Sequence, residues 1–303
     1  MAAASRTTTI VPTDAELLQA QADLWRHSLY YLTSMALKCA VELRIPTAIH
    51  NLGGAASLQD LVNALSLPKT KLPFLGRLIR LLVTSGIFMS GGEETYRLKS
   101  LSWLLVEGLE AEDHGHQKYF VIATNTRNIV EAALSLADWF KKDLATPLPS
   151  PFEVLHGVPL FHDDTPKLGE DFDIMINKSL VAHDNFAIGT TIRECDGLFQ
   201  GLQSLTDCGG GDGTMARAIV KAFPGIKCTV LDLPKVIEKA PADDDANYVT
   251  GDMSSPSHQL KLCCSRGRQW AENDWREIFM KAGFSDYKIV KKIGVRAFIE
   301  VYP

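Results

Sequence analysis

The feature that most constrains the fold is a glycine-rich stretch in the second half of the chain, Leu205-Thr-Asp-Cys-Gly-Gly-Gly-Asp-Gly-Thr214. A short apolar run leads into it, and a helical pattern from Met215 to Phe223 follows it. Glycines let a backbone approach a ligand closely, and a helix that starts behind them presents free N–H groups and a positive dipole end. The stretch therefore predicts a strand, a ligand-binding turn and a helix within an α/β domain.

Two classes of ligand fit such a turn. The segment 211–216 satisfies G-x-G-x-x-A, and Asp232 lies near the distance of a ribose-binding acid, which would suit NAD. In the other register Asp207 precedes three alternating glycines that end at Gly213. Carboxylates such as Asp207 and Asp212 gain nothing beside a pyrophosphate. They favour S-adenosylmethionine, which has no phosphate and carries ammonium and sulfonium groups.

Two later strand ends also carry acids. The run 228–234 predicts a strand that ends at Asp232, placed to accept both ribose hydroxyls. The run 247–253 predicts a third strand that ends at Asp252 and Met253. There a carboxylate can accept from an adenine amino group while a thioether packs on the ring. One such acid is most simply a solvated loop residue, but acids at three successive strand ends indicate a nucleoside site.

The first half of the chain has a different pattern. Helical spacing from Asp14, the expected N-cap, to about residue 43 is followed by two short helices and a β-hairpin, over 57–65, 74–83 and 86–98. This order is typical of a winged helix. The hairpin tip carries Glu93 and Glu94 where a DNA-binding wing needs cations, so DNA recognition is not favoured. The first helices are apolar enough to favour a dimerisation module.

Composition excludes several classes of protein and site. The chain is 46% hydrophobic with a net charge of −5, so we expect a globular protein without nucleic acid or membrane as partner. It has no apolar run of about 18 residues, and its first residues lack a secretory signal pattern. Six scattered cysteines predict reduced thiols and a cytoplasmic location. No metal site is expected, because His114 and His116 have no third ligand at a suitable spacing.

Taken jointly, these motifs resemble the plant small-molecule O-methyltransferases of the caffeate and flavonoid type. The matching stretches are 207–214, 230–237, 248–253, 282–287 and 299–303, and the amino half resembles that family's dimerisation domain. The resemblance implies contacts to S-adenosylmethionine at Gly209, Asp232, Asp252 and Met253. It also implies a homodimer built from the amino-terminal helices and a phenolic acceptor. Three residues are candidates for the wall of the acceptor pocket: Met175, Asn177 and Val181.

The same resemblance sets the expected architecture. It implies a mostly helical winged-helix dimerisation domain at 14–115, a helical linker with pocket helices at 116–195, and a Rossmann-like domain at 196–303. Sheets of this family have strand order 3-2-1-4-5-7-6, and strands four and five are expected to be missing here. An open central edge would expose a row of backbone donors and acceptors. We therefore expect either 259–264 or the final hairpin directly beside 205–208.

The catalytic base of the family is absent. A phenol has a pKa of about 10, so methyl transfer needs a base to remove its proton. The family supplies a histidine from an L-K-x-x-x-H-D-W motif, which also carries a lysine at the cofactor. Between Met253 and Trp275 the one histidine is His258, which follows Ser-Pro-Ser as a loop residue would. The resemblance implies that roughly sixty residues, two strand–helix units, are missing from this interval.

Two other residues are candidates for a part in catalysis. Glu272 matches the family's helper carboxylate but has no histidine to orient. His183, ahead of the glycine turn, is a base that the family does not use.

Four hypotheses follow. The chain is an impaired O-methyltransferase, an inactive relative that dimerises and caps an active paralogue, a truncated product that does not fold stably, or an NAD-dependent oxidoreductase. The last has no hydride-transfer partner in the sequence.

Overall fold

A computed structural model describes most of the chain in two compact units. The described residues are 11–92, 94–109, 116–145, 148–160, 164–184, 186, 188–241, 246–251, 272–281, 283–293 and 296–302. The units are Met1–Trp103 and Leu104–Pro303. Within the described residues, no helix is both long enough and apolar enough to cross a membrane.

Over its described residues, the amino-terminal unit contains five helices and a small antiparallel sheet. Its elements are α1 (Asp14–Glu42), α2 (Ile45–Asn51), β1 (Ala55–Ser57), α3 (Leu58–Ala64), a 3-10 turn (Lys69–Lys71), α4 (Leu72–Thr84), β2 (Phe88–Ser90), β3 (Thr95–Leu98) and α5 (Ser100–Trp103). The sheet has the order β1-β3-β2. The predicted helices and hairpin are confirmed. Strand β1 was not predicted, because three residues that lead straight into a helix show no alternating pattern.

Side-chain caps set the starts of two helices. Thr13, not Asp14, is the N-cap of α1: its hydroxyl accepts the Glu16 N–H at 3.3 Å, and the Glu16 carboxylate accepts the Thr13 N–H at 2.7 Å. The expectation of Asp14 was wrong because a threonine with a glutamate three residues later forms the reciprocal capping box. Ser57, the first residue of the predicted helix over 57–65, is the N-cap of α3, with Asp60 as its reciprocal partner.

The core of this unit lies beneath the second half of α1. Its largest fully buried side chains are Ile45, Ile49, Leu61, Ile79, Leu82 and Phe88. The first half of α1 is different, because it leaves large apolar side chains more than half exposed. They are Leu17, Leu18, Leu24, Trp25, Leu29, Tyr30 and Tyr31.

The second unit begins with helices and continues with a parallel sheet. The helices are α6 (Lys118–Thr124), α7 (Arg127–Leu134), α8 (Leu136–Phe140), α9 (Pro151–His156), α10 (Glu170–Asp184), α11 (Ile188–Glu194) and α12 (Asp196–Phe199), with a 3-10 turn at Thr165–Leu168. Next come β4 (Ser204–Cys208), α13 (Thr214–Ala222), β5 (Lys227–Asp232), α14 (Pro234–Ile237) and β6 (Asn247–Thr250). The three strands are parallel in the order β4-β5-β6, which confirms the three predicted strands.

The chain ends with α15 (Glu272–Lys281) and the antiparallel hairpin of β7 (Asp286–Ile293) and β8 (Arg296–Tyr302). Within the described residues this hairpin is a separate two-stranded sheet that is not hydrogen-bonded to β4, so it is not the expected neighbour of 205–208, and the expectation that either it or 259–264 lies there stays a prediction. Strands β7 and β8 pair with each other, and α15 packs on β7, so these three elements form a local unit. The other expected neighbour, 259–264, lies outside the described residues. Among those residues β4 pairs with β5 alone.

Candidate ligand-binding site

The turn between β4 and α13 depends on glycine at alternate positions. Gly209, Gly211 and Gly213 have φ angles of 75°, 59° and 77°, all in the left-handed region that glycine adopts without strain. A Cβ on Gly211 would meet no atom within 4 Å. The backbone of Gly211 therefore faces open space, where a ligand can approach it closely.

Asp207 lies against the inner side of this turn. A Cβ on Gly210 would lie 2.6 Å from both Cγ and Oδ2 of Asp207, so a side chain at position 210 would displace the carboxylate. Burial, and then the Asp207 charge, raise the pKa of the neighbouring Cys228 thiol. The Asp207 carboxylate thus places negative charge beneath the glycine turn.

Asp232 joins the turn to the ends of the next two strands. Its Oδ2 accepts the Gly211 N–H at 2.8 Å, and its Oδ1 accepts the Leu233 N–H at 2.7 Å. Its backbone carbonyl accepts the Gly251 N–H at 2.9 Å. Each carboxylate oxygen can accept more than one hydrogen bond, so the side chain can still receive hydroxyl groups.

Two of the four predicted cofactor residues are therefore in one cluster. Gly209 donates its N–H to the Leu231 carbonyl at 2.7 Å, one residue before Asp232. Asp252 and Met253 lie outside the described residues. The chain leading to them passes Asp232, because Gly251 is bonded there.

The first turn of α13 contains residues that sequence reasoning missed. The Asp212 carboxylate, expected to face the ligand's positive charge, accepts the Thr214 N–H at 3.0 Å and the Thr214 hydroxyl at 2.7 Å. Arg217 donates to the Asp212 carbonyl at 2.6 Å and to the Tyr248 hydroxyl at 2.8 Å. Thr214 and Arg217 are three residues apart, a spacing that places them on one helix face and that is visible in the sequence. The role of Tyr248 depends on sheet register, which the sequence does not state.

The three candidate acceptor residues all lie on α10 but not on one face. Met175 is half-buried against the core cluster that includes Phe152 and Phe172. Asn177 is exposed and donates to the Asp173 carboxylate at 3.0 Å, while Val181 is 41% exposed. Positions four apart share a helix face, so the structure brings Asn177 and Val181 together and separates Met175 from them.

Glu272 begins α15 and is bonded to the final hairpin. Its Oε1 accepts the Tyr287 hydroxyl at 3.1 Å, and partial burial together with this bond raises the pKa of Tyr287. The Tyr287 ring also contacts Phe279, with centroids 5.8 Å apart. Glu272 thus ties the helix to β7. Of the two histidines considered as bases, His183 lies near the end of α10, and His258 lies outside the described residues.

Comparisons with known proteins agree on the family. The O-methyltransferase domain matches residues 134–259, and the O-methyltransferase dimerisation domain matches residues 25–108. Probable O-methyltransferase 2 of Sorghum bicolor is 57% identical over 374 aligned positions, covering 100% of both chains. Daphnetin O-methyltransferase 1 of Secale cereale is 48% identical, covering 94% of this chain and 99% of its own.

Solved structures show the same fold. The methyltransferase CalO1 with bound S-adenosylhomocysteine has a TM-score of 0.61 at 18% identity, covering 78% of this chain and 66% of its own. Human N-acetylserotonin methyltransferase with S-adenosylmethionine has a TM-score of 0.57 at 17% identity, covering 77% and 66%. A helical dimerisation domain followed by an α/β domain with a glycine turn, together with these relatives, sets aside the nicotinamide alternative. The chain belongs to the plant family of S-adenosylmethionine-dependent O-methyltransferases.

Proposed function

We propose that this chain binds S-adenosylmethionine at the glycine turn and descends from phenol O-methyltransferases, but transfers the methyl group poorly. The proposal that the chain binds this cofactor rests on the 2.8 Å hydrogen bond from the Gly211 N–H to Asp232 Oδ2. It brings the turn and the acid that would receive the ribose into one cluster. Gly209, Asp232, Asp252 and Met253 are the proposed contacts.

The charges of the cluster suit a cationic nucleoside. Asp207 and Asp232 place carboxylates beneath and beside a turn whose outer face is open at Gly211. Opposite charges at such short range favour the sulfonium and ammonium groups over a phosphate. When bound, S-adenosylmethionine supplies an electrophilic methyl group. The residues of this chain hold the nucleoside and orient that group towards the acceptor.

The impairment follows from the interval between Gly251 and Glu272. The alignment with the sorghum relative spans 374 positions against 303 residues here, a difference of 71, although both chains are covered completely. The match to the O-methyltransferase domain ends at residue 259. Both facts support an internal deletion that removes the histidine base and the lysine. Glu272 is then a helper carboxylate without its partner.

The proposed acceptor is a phenolic small molecule. The names of two relatives, daphnetin O-methyltransferase 1 and a flavonoid O-methyltransferase-like protein, support this class of acceptor. Asn177 and Val181 form the proposed pocket wall, with Met175 supporting it from the core side. We assign 14–115 to dimerisation, 116–195 to the linker and pocket, and 196–303 to cofactor binding.

Two measurements test this proposal. Calorimetric titration with S-adenosylhomocysteine should show binding, and its absence would overturn the cofactor assignment. Methylation of a phenol panel with labelled S-adenosylmethionine should be about 10²–10⁴-fold slower than with the sorghum relative as control, since that is the usual contribution of a general base. Equal rates would show that another residue, with His183 the first to substitute, serves as base.

A second candidate function is that of an inactive dimerising homologue. The observation in its favour is the exposed apolar half of α1, where Leu18 is 70% and Trp25 is 63% exposed. Contiguous apolar surface of this kind marks protein–protein contacts. We propose a homodimer through this half, which also allows pairing with an active paralogue. Co-expression with the sorghum relative should yield heterodimers without turnover by this subunit, and a cooperative melt by circular dichroism would exclude the truncated, unstable product.

A further inference from the structure

The carbonyl of Asp212, behind the glycine turn, is held by two side chains from different elements. Arg217 Nη1, from α13, donates to it at 2.6 Å, and the Tyr248 hydroxyl, from β6, donates to it at 3.3 Å. The two side chains are also linked, because Arg217 Nη1 lies 2.8 Å from the Tyr248 hydroxyl. Arg217 Nη2 donates further to the Thr214 hydroxyl at 3.0 Å. One guanidinium therefore joins the turn, the helix and the third strand.

Tyr248 also packs directly on the backbone of the turn. Gly213 is buried, and a Cβ there would lie 2.6 Å from the Tyr248 hydroxyl and 3.0 Å from its Cε1. The Gly213 N–H donates to the Gly210 carbonyl at 2.9 Å. Both ends of the Asp212–Gly213 peptide group are thus fixed, the carbonyl by Arg217 and Tyr248 and the N–H by Gly210.

We propose that Arg217 and Tyr248 are positioning residues, which hold the turn in its binding conformation without touching the cofactor. The inference rests on the proposed function, since it assumes that the turn binds S-adenosylmethionine. Four glycines in five residues make this turn costly to order, and a turn ordered in advance lowers the cost of binding. Arginine suits the role because its planar fork can donate to several acceptors at once.

The test uses the full chain with single and double substitutions. Tyr248→Phe removes the hydroxyl but keeps the ring on Gly213, and Arg217→Met removes the donors but keeps the length. Arg217→Lys keeps the charge but replaces the planar fork by a single donor nitrogen. Arg193→Met is the matched control, because Arg193 makes the same kind of bond to a threonine three residues earlier, at 3.2 Å on α11. Tyr96→Phe in the amino-terminal unit is the control for the hydroxyl.

Three readouts are compared: the Kd of S-adenosylhomocysteine by calorimetry, amide exchange of residues 209–214 without ligand, and the melting temperature. We expect Tyr248→Phe and Arg217→Met each to raise the Kd and the exchange rate about tenfold, the usual effect of losing a bond of this type. In the double variant the Kd should rise by less than the product of the two single increases, because both residues act on one carbonyl. Arg217→Lys should recover part of the loss, and the controls should match the wild type.

The outcomes separate this inference from the proposed function. If the wild type binds and the variants bind equally well with unchanged exchange, the positioning role is wrong. It is also wrong if every segment of the unit exchanges faster to the same degree, since the residues then serve folding alone. If the wild type does not bind S-adenosylhomocysteine, the proposed function fails. Amide exchange in the variants then still tests the positioning role: faster exchange confined to 209–214 supports it, and unchanged exchange contradicts it.

Discussion

The core of the amino-terminal unit and the core around the parallel sheet of the second unit differ in the size of their described buried side chains. The amino-terminal core is built from large aliphatic side chains, with Ile45, Ile49, Ile79 and Leu82 all fully buried. In the parallel sheet the deeply buried residues are mostly smaller, among them Ala216, Cys228, Val230 and Ala246. Because stabilisation scales with buried apolar area, we expect the amino-terminal core to be more stable than the core around the parallel sheet. The sheet, where we propose that the cofactor binds, is therefore expected to have the smaller reserve against destabilising substitutions.

The largest expected effect compares the two cores directly. Ile79→Ala should lower the free energy of unfolding of the amino-terminal unit by about 2–5 kcal/mol, and Val230→Ala should cost the second unit about 2 kcal/mol. Urea unfolding followed by amide exchange measures each unit separately. We expect Val230→Ala, despite its smaller cost, to be the variant that loses S-adenosylhomocysteine binding. If Ile79→Ala loses binding and Val230→Ala keeps it, binding does not depend on the stability of the second unit in the way we expect.

The next effect concerns the turn itself. Gly213→Ala forces a side chain into a left-handed conformation and against the Tyr248 hydroxyl, and should destabilise the second unit by about 2–4 kcal/mol and abolish binding. Gly225→Ala is the matched control, since a Cβ there meets nothing within 4 Å and its φ is not left-handed. Calorimetry and circular dichroism check both. Equal behaviour of the two variants would refute the close approach seen at Gly213.

A smaller effect is expected from removing one charge. Asp232→Asn should raise the Kd of S-adenosylhomocysteine about 10–100-fold, since it removes a charged acceptor of the Gly211 N–H and of the ligand hydroxyls. Asp196→Asn is the control, because Asp196 accepts the N–H of the next residue at 2.8 Å, as Asp232 does, but is exposed at the start of α12. Titration calorimetry of both variants gives the comparison. A change in the Asp196 variant as large as in the Asp232 variant would count against a specific role.

The smallest effect is a pH dependence of the second unit. Burial, and then Asp207, raise the pKa of Cys228 above 9.0, so the folded state holds this proton more tightly than the unfolded state. Below the unfolded pKa both states are protonated, and stability is lost as the pH rises past it. Unfolding of the second unit should therefore become easier above about pH 9. Cys228→Ala should flatten this dependence in urea titrations from pH 7 to 10, and an unchanged slope would exclude the thiol as its source.

Local chemistry explains which features were predictable. Alternating glycines at 209, 211 and 213 predicted a turn because the left-handed conformation is a property of the residue itself. The three strands around it followed from short apolar runs that end in acids. In the same way, Ser57 marked the start of the predicted helix over 57–65, because a serine side chain can accept an N–H of the first helical turn.

Features that depend on register or on competing caps were not predictable. Tyr248 reaches Gly213 because β6 pairs with β5 at Val230, and no local pattern states that pairing. The sequence predicts that the Asp212 carboxylate faces the ligand, whereas in the structure it accepts the Thr214 N–H in the first turn of α13. The final hairpin carried a clear strand pattern, but pairing partners depend on the whole sheet.

The length of α1 has a mechanical consequence. Its 29 residues form one uninterrupted helix, about 44 Å from end to end. Ala36, Ala40 and Val41 clamp its later turns into the core, while the earlier turns project beyond it as a stiff rod. A rod transmits orientation as well as attachment. A subunit that binds these turns therefore fixes the orientation of the amino-terminal unit relative to itself. A flexible linker would limit only the distance between them.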